Sequence, residues 1–133
     1  MRYLVYTLLL LTVQFSFTQN VEFKKENFSN DRDGFKLANN EYKTGLDEYE
    51  KGRDFYQYAL KHLKAANKFN PNNAEVNFII GKIIINSVHR EESLKYFEKA
   101  YKIDNEVDRN IFSSLATAHH LNENWDEAID FFK

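Results

Sequence analysis

The spacing of small and large apolar residues is the feature that most constrains the fold of this 133-residue chain. A small residue followed four positions later by a large apolar one occurs three times, at intervals of 34 and 35 residues, as Ala59/Leu63, Ser93/Phe97 and Ala128/Phe132. Further small residues recur at the same distance, Ala66 with Ala100 and Gly81 with Ala116. A period of this length predicts stacked units, each of which buries its apolar face against a neighbour.

Within each unit the apolar residues are spaced as on a helix. From Phe35 onward they follow one another at steps of three and four, first as Phe35, Ala38, Tyr42, Leu46 and Tyr49. The run Asn70-Pro71-Asn72-Asn73 marks a stop and a restart, because proline disfavours helix in the preceding residue and asparagine caps the next helix. With only one proline and four glycines in the chain, the pattern predicts an all-α fold of six helical segments in three helix–turn–helix units.

These units resemble tetratricopeptide repeats. The second unit carries the pattern best, as Asn77-x2-Ile80-Gly81-x2-Ile84 followed by Ser93-x3-Phe97-x2-Ala100. The third unit carries Phe112-x2-Leu115-Ala116 and Trp125-x2-Ala128-x3-Phe132, whereas the first helix of the first unit departs from the pattern. The resemblance covers residues 34–133 and implies a short right-handed solenoid of about three repeats, the last one incomplete. The units would span residues 34–73, 74–108 and 109–133.

The first 33 residues are interpreted separately. Arg2 precedes an apolar stretch centred on Leu8-Leu9-Leu10-Leu11, and Ser16 and Thr18 have the spacing of a signal peptidase site. Residues 1–18 are therefore predicted to be a cleaved signal peptide. A short membrane anchor is the alternative, although the second half of the stretch is polar and a spanning helix needs about 20 mainly apolar residues. Residues 19–33 lack a clear period and are expected to form a linker or lead-in.

Composition and motifs argue against several kinds of function. A net charge of −2 gives no support to nucleic-acid binding. The chain has no cysteine, and no glycine-rich phosphate loop, G-x-S-x-G or H-E-x-x-H motif. His119 and His120 are adjacent, so on a helix they diverge by about 100° and are poorly placed to bind one metal ion. We therefore expect no catalytic residues, no metal site and no small-molecule cofactor.

The repeat resemblance implies a binding surface on the first helix of each unit. In that family these helices line a concave groove that binds extended peptides. Only Lys82 and Asn86 match the carboxylate clamp found in some members, so apolar and amide contacts are expected instead. An alternative is that Phe78 and Tyr42 belong to the core between units. The groove would be lined by Asn39, Tyr42, Leu46, Tyr49, Glu75, Phe78, Lys82, Ile85, Asn86, Asn110, Ser113, Thr117 and His120.

A narrower resemblance concerns the cell envelope. A leader, a degenerate first repeat and segments such as Asn72-Asn73-Ala74-Glu75 and Ala118-His119-His120-Leu121-Asn122 resemble the N-terminal region of Bacteroidetes OmpA-family envelope proteins. This resemblance implies an exported, non-enzymatic scaffold, periplasmic or associated indirectly with the outer membrane, that binds protein partners of the envelope. Only five residues follow Ala128, which favours the N-terminal part of a longer protein. The alternatives are a nutrient-binding helical-repeat protein and an accessory domain of an enzyme.

Overall fold

A computed structural model describes residues 19–133. Within this range the protein is all-helical, as predicted, and contains six α-helices and no strand. Three single turns of 3-10 helix occupy Lys25–Phe28, Arg53–Phe55 and Arg90–Glu92. The α-helices are α1 (Arg32–Glu50), α2 (Tyr56–Phe69), α3 (Ala74–Ile84), α4 (Ser93–Ile103), α5 (Ile111–Leu121) and α6 (Trp125–Phe132).

The helices pack as three consecutive pairs, α1 with α2, α3 with α4 and α5 with α6. Helix α2 contacts α3 and α4 contacts α5, so the pairs are joined in chain order. Helix α3 contributes to both apolar clusters of the core, and its residues Val76 and Ile80 lie in the first while Phe78 lies in the second. The first cluster also includes side chains of α1 and α2, and the second includes α4 and α5. The middle pair is therefore covered on both sides.

Glycine allows close approach within the first two pairs. A Cβ atom built on Gly45 of α1 would lie 2.7 Å from Leu63 Cγ, and one on Gly81 of α3 would lie 2.7 Å from Phe97 Cε1. Real Cβ atoms do not approach that closely, so glycine lets the large residue of the second helix pack directly against the first helix. The third pair differs, because Phe132 is 64% exposed. Its neighbour Phe131 instead stacks on His119.

The first turns of α3 and α6 show how local hydrogen bonding sets where a helix begins. The side chain of Asn73 accepts a hydrogen bond from the Val76 amide at 2.9 Å, which satisfies an amide of the first turn of α3. Asn124 holds the equivalent position before α6, but its side chain makes no capping bond. Its side-chain nitrogen lies instead 3.4 Å from Nδ1 of His119.

Residues 19–31, called the lead-in from here on, end two residues earlier than the linker or lead-in expected over 19–33, because α1 begins at Arg32. The Phe28 ring packs against Phe35 and Phe69, with centroid distances of 5.3 and 5.1 Å. Val21 donates its amide to the Asn72 carbonyl at 2.8 Å. The lead-in has no helical period, yet it contacts α1 and α2 through its aromatic rings and the start of α3 through Asn20.

The predicted signal peptide, residues 1–18, lies outside the described residues. Among the helices formed by residues 19–133, none combines the length and the apolar character required to cross a bilayer.

Candidate functional site

The thirteen residues expected to line a groove lie in three kinds of surroundings. One group is exposed and comprises Glu75, Asn86, Asn110, Ser113, Thr117 and His120. A second group is half-buried and comprises Asn39, Tyr42, Leu46, Tyr49, Lys82 and Ile85. The last residue, Phe78, is buried. The accessible part of the expected groove is therefore mostly polar.

Phe78 is a core residue, so of the two interpretations given for it the core between units applies and the groove does not. Its ring lies 5.7 Å from that of Phe97 and it belongs to the second apolar cluster. The reason is the position of α3 between two other helix pairs, since only Glu75 and Lys82 of this helix escape burial. An aromatic side chain on a helix covered from both sides has no free surface to occupy.

The half-buried residues of α1 are held by contacts within the protein. Leu46 and Tyr49 pack against the first apolar cluster, and the Tyr49 ring stacks on Tyr56 at 5.3 Å. The Tyr42 hydroxyl donates a hydrogen bond of 2.6 Å to Glu75 Oε2. Burial, followed by this bond to Glu75, raises the pKa of Tyr42 well above its ordinary value. Tyr42 therefore remains a neutral hydrogen-bond donor that joins α1 to α3.

The predicted residues on α3 and α5 make mainly local hydrogen bonds. Asn86 donates its side-chain amide to the Lys82 carbonyl at 2.8 Å, and Thr117 donates its hydroxyl to the Ser113 carbonyl at 2.8 Å. His120 contacts Trp125 edge to face, with ring centroids 4.7 Å apart. Half-buried Lys82 is thus followed by exposed Asn86 just beyond the end of α3, and α5 with its preceding residue Asn110 offers hydroxyl, amide and imidazole groups to solvent.

Tyr42 has a neighbour that the sequence analysis did not anticipate. The ring of Phe23, in the lead-in, stacks on the Tyr42 ring with centroids 4.5 Å apart and planes inclined by 8°. Phe23 also packs against the first apolar cluster. The chain therefore covers the first aromatic residue of the expected groove with a segment of its own.

Three asparagines beside Tyr42 bind the main chain of the lead-in. The side-chain amides of Asn70 and Asn73 both donate to the Val21 carbonyl, at 2.7 and 3.1 Å. The Asn72 carbonyl accepts from the Val21 amide. We call Asn70, Asn72 and Asn73 the asparagine bracket. Sequence reasoning missed it because the run Asn70–Asn73 was interpreted only as a helix stop and cap; the surplus of asparagines over the single cap required was the available signal.

A cavity of about 420 Å³ lies beside the bracket and Tyr42. Its charged lining is mainly acidic, with Lys24 as the single basic residue. The carboxylates belong to three separate parts of the chain, Glu22 in the lead-in, Glu75 on α3, and Asp104 and Glu106 between α4 and α5. Since like charges in one cavity repel each other, the cavity favours a cationic group.

The histidines and carboxylates show no arrangement suited to metal binding. In residues 19–133 no group of three or more His, Asp or Glu side chains is arranged to hold a metal ion. His119 is buried against Phe131 while His120 is exposed, so the adjacent imidazoles diverge as expected for a helix. His62 lies 2.6 Å from Glu41 Oε2 in a contact between α2 and α1.

Comparison of the chain with protein-family models, with curated proteins and with solved structures finds no match.

Proposed function

We propose that this protein is a non-enzymatic scaffold that binds an extended segment of a partner protein. The observation that carries the proposal is the asparagine bracket with Tyr42, which already holds a short non-helical stretch of polypeptide in this chain. Main-chain hydrogen bonds with an aromatic contact are the chemistry by which proteins recognise extended peptides.

The architecture proposed for this scaffold is a right-handed solenoid of about three tetratricopeptide-type repeats, the third incomplete. The recurring glycine contacts, Gly45 with Leu63 and Gly81 with Phe97, support the repeat. Helices α1 and α3 share one apolar cluster and α3 and α5 share the other, so the first helices of the three pairs are neighbours. Polar side chains of α5 would extend the binding surface away from the bracket.

Export to the cell envelope is part of the same proposal. It rests on the sequence of residues 1–18, with Arg2 before the leucine run and small residues at 16 and 18. The expected mature protein begins at Gln19 and resides in the periplasm or at the outer membrane, next to envelope protein partners. The intact mass of the exported product tests this directly, and a product that retains residues 1–18 would contradict it.

Site-specific photocrosslinking tests the binding surface in the organism that makes the protein. A benzophenone amino acid at Thr117 or Asn86 should give one discrete adduct, identified by mass spectrometry as the same partner segment at both positions. The controls are Lys64 on α2 and Lys95 on α4, which are equally exposed but lie on the second helices of their pairs. Adducts of equal yield at all four positions, or at the controls alone, would overturn the proposed surface.

A further inference from the structure

The contacts of the lead-in describe the ligand that the asparagine bracket accepts. Three of them use only the main chain of Val21, so every residue except proline satisfies them at that position. A fourth is specific, because the side chain of Asn20 accepts a hydrogen bond from the Ala74 amide at 3.0 Å, in the first turn of α3. With Phe23 on Tyr42, the bound pattern reads asparagine, aliphatic residue, any residue, aromatic residue.

Part of the bracket is held by hydrogen bonds that do not involve the lead-in. Asn77 is fully buried in α3 and donates its side-chain amide to the carbonyls of Pro71 and Asn73, at 3.1 and 2.7 Å. Asn70 and Asn73 are only 3% and 4% exposed. If the lead-in left, these two amides would lose the Val21 carbonyl and become accessible to water or to another acceptor. A peptide carbonyl placed where the Val21 carbonyl lies would restore both hydrogen bonds.

The lead-in is less deeply buried than the bracket. None of its residues is fully buried, and its three apolar side chains, Val21, Phe23 and Phe28, are each half-buried. Segments with few buried contacts open locally at a smaller free-energy cost than global unfolding. The lead-in can therefore leave while the helix pairs remain folded.

Glu22 occupies the third position of the pattern, and the charges around it disfavour an acidic side chain there. Glu22 shares its cavity with Glu75, Asp104 and Glu106, and its nearby cation is Lys24 of the same segment. A lysine or arginine in place of Glu22 would meet three carboxylates instead of adding a fourth. An incoming segment with a basic third residue would thus be attracted where the lead-in is repelled.

We infer that the asparagine bracket, Tyr42 and the carboxylates of Glu75, Asp104 and Glu106 form a peptide site that the lead-in closes in cis. Its partner is an extended segment of another protein with the pattern asparagine, aliphatic, basic, aromatic. This inference rests on the proposed function, and adds the partner chemistry and the means by which the site is kept closed.

Fluorescent peptides test the inference on the whole mature chain. The probes are Gln-Asn-Val-Lys-Phe-Lys and the native Gln-Asn-Val-Glu-Phe-Lys, with Gln-Ala-Val-Lys-Phe-Lys as the control that lacks the asparagine. The basic peptide should bind an Asn20→Ala/Phe23→Ala protein at least about tenfold more tightly than wild type, because the cis competitor is weakened. It should also bind at least about threefold more tightly than the native peptide, and lose this advantage in high salt.

A second measurement avoids dependence on a variant. In the unaltered protein, saturating basic peptide should accelerate hydrogen exchange of the Val21 amide, which now bonds to Asn72, and leave core amides such as Ile80 unchanged. Unchanged exchange at Val21, or peptide affinity that is the same in Tyr42→Ala, would overturn the site. Equal affinity for both peptides would overturn the partner chemistry. A concentration-dependent dimer that excludes peptide would assign the site to the lead-in of a second copy instead, and overturn the inference.

Failure of the inferred peptide site can be distinguished from failure of the proposed function. Loss of peptide binding with crosslinks retained at Thr117 and Asn86 would leave the scaffold function standing and remove only the site described here.

Discussion

The two ends of the helical array are covered to different extents. At the first pair, Phe23 and Phe28 of the lead-in cover Tyr42, Phe35 and Phe69. At the last pair, α6 leaves Trp125, Ile129 and Phe132 between 52% and 64% exposed at spacings of four and three residues, which places them on one helical face. The first pair also exposes Leu37 and Tyr58, but on different helices. Coverage of an end is therefore set by residues outside the repeating pattern rather than by the pattern itself.

The largest expected effect on stability is the difference between removing a phenylalanine from the middle helix pair and removing one from the last pair. Phe97→Ala should lower the free energy of unfolding by about 3–5 kcal/mol, because a fully buried ring against Gly81 leaves a cavity. Phe132→Ala, the matched control, should change it by less than about 0.5 kcal/mol. Chemical denaturation monitored by circular dichroism measures both, and equal losses would mean that α6 is packed as tightly as α4.

Overpacking the core should destabilise the protein less than opening a cavity in it. Ala100→Leu is expected to cost about 1–3 kcal/mol, since Ala100 is fully buried in the second apolar cluster and has no room for a larger side chain. Ala65→Leu on the exposed side of α2 is the control and should be nearly neutral. If thermal melts of the two variants coincide, the assignment of the small residues to helix contacts is wrong.

Removing one ring of the lead-in should have a smaller effect: Phe23→Ala is expected to lower the free energy of unfolding by about 1 kcal/mol. Phe23→Ala removes a half-buried ring stacked on Tyr42, and such a pair contributes on the order of 0.5–1.5 kcal/mol beyond the area it buries. Ile129→Ala at the uncovered end should have little effect. Urea titration of both variants would contradict the comparison of the two ends if Ile129→Ala proved the more destabilising.

The smallest expected effect is a loss of folding stability at alkaline pH. The pKa of Tyr42 is raised by burial and by the bond to Glu75, so the folded state retains a proton that the unfolded phenol loses near pH 10. The stability contributed by neutral Tyr42 is fully present below about pH 10 and is lost as the pH rises towards the folded pKa. Denaturant midpoints at pH 8 and pH 10.5 should therefore differ less in Tyr42→Phe than in wild type. A decrease of the same size in both would assign the alkaline loss to other groups.

The sequence predicted the helical class and much of the core. Ala59, Ala66, Gly81 and Ala100 are buried as the period requires, because the period records contacts that recur between adjacent helices. The period did not predict that Phe78 would be core or that Phe131, rather than Phe132, would turn inward. Both outcomes depend on how many neighbouring helices cover a given helix. The spacing of apolar residues within that helix carries no information about this.

The candidate site was only partly predictable, for a related reason. Tyr42 and Glu75 were identified from the expected groove, but Phe23 and the bracket were not. The hydrogen bond from Asn70 to Val21 joins residues 49 positions apart, and the lead-in has no period that would indicate such a contact. Non-local contacts of a non-repeating segment leave no pattern in a single sequence.

The bond from Ala74 to Asn20 has a consequence for the order of events during synthesis. The two residues are 54 positions apart, so Asn20 is made long before its partner exists. At a translation rate of about 5–20 residues per second, the lead-in waits roughly 3–10 s for α3 to emerge. During that interval Phe28 can already meet Phe35, and Phe23 can meet Tyr42, but the contacts of Asn20 and Val21 cannot form. Until α3 emerges, these two residues stay open to chaperones and proteases that the finished fold would exclude.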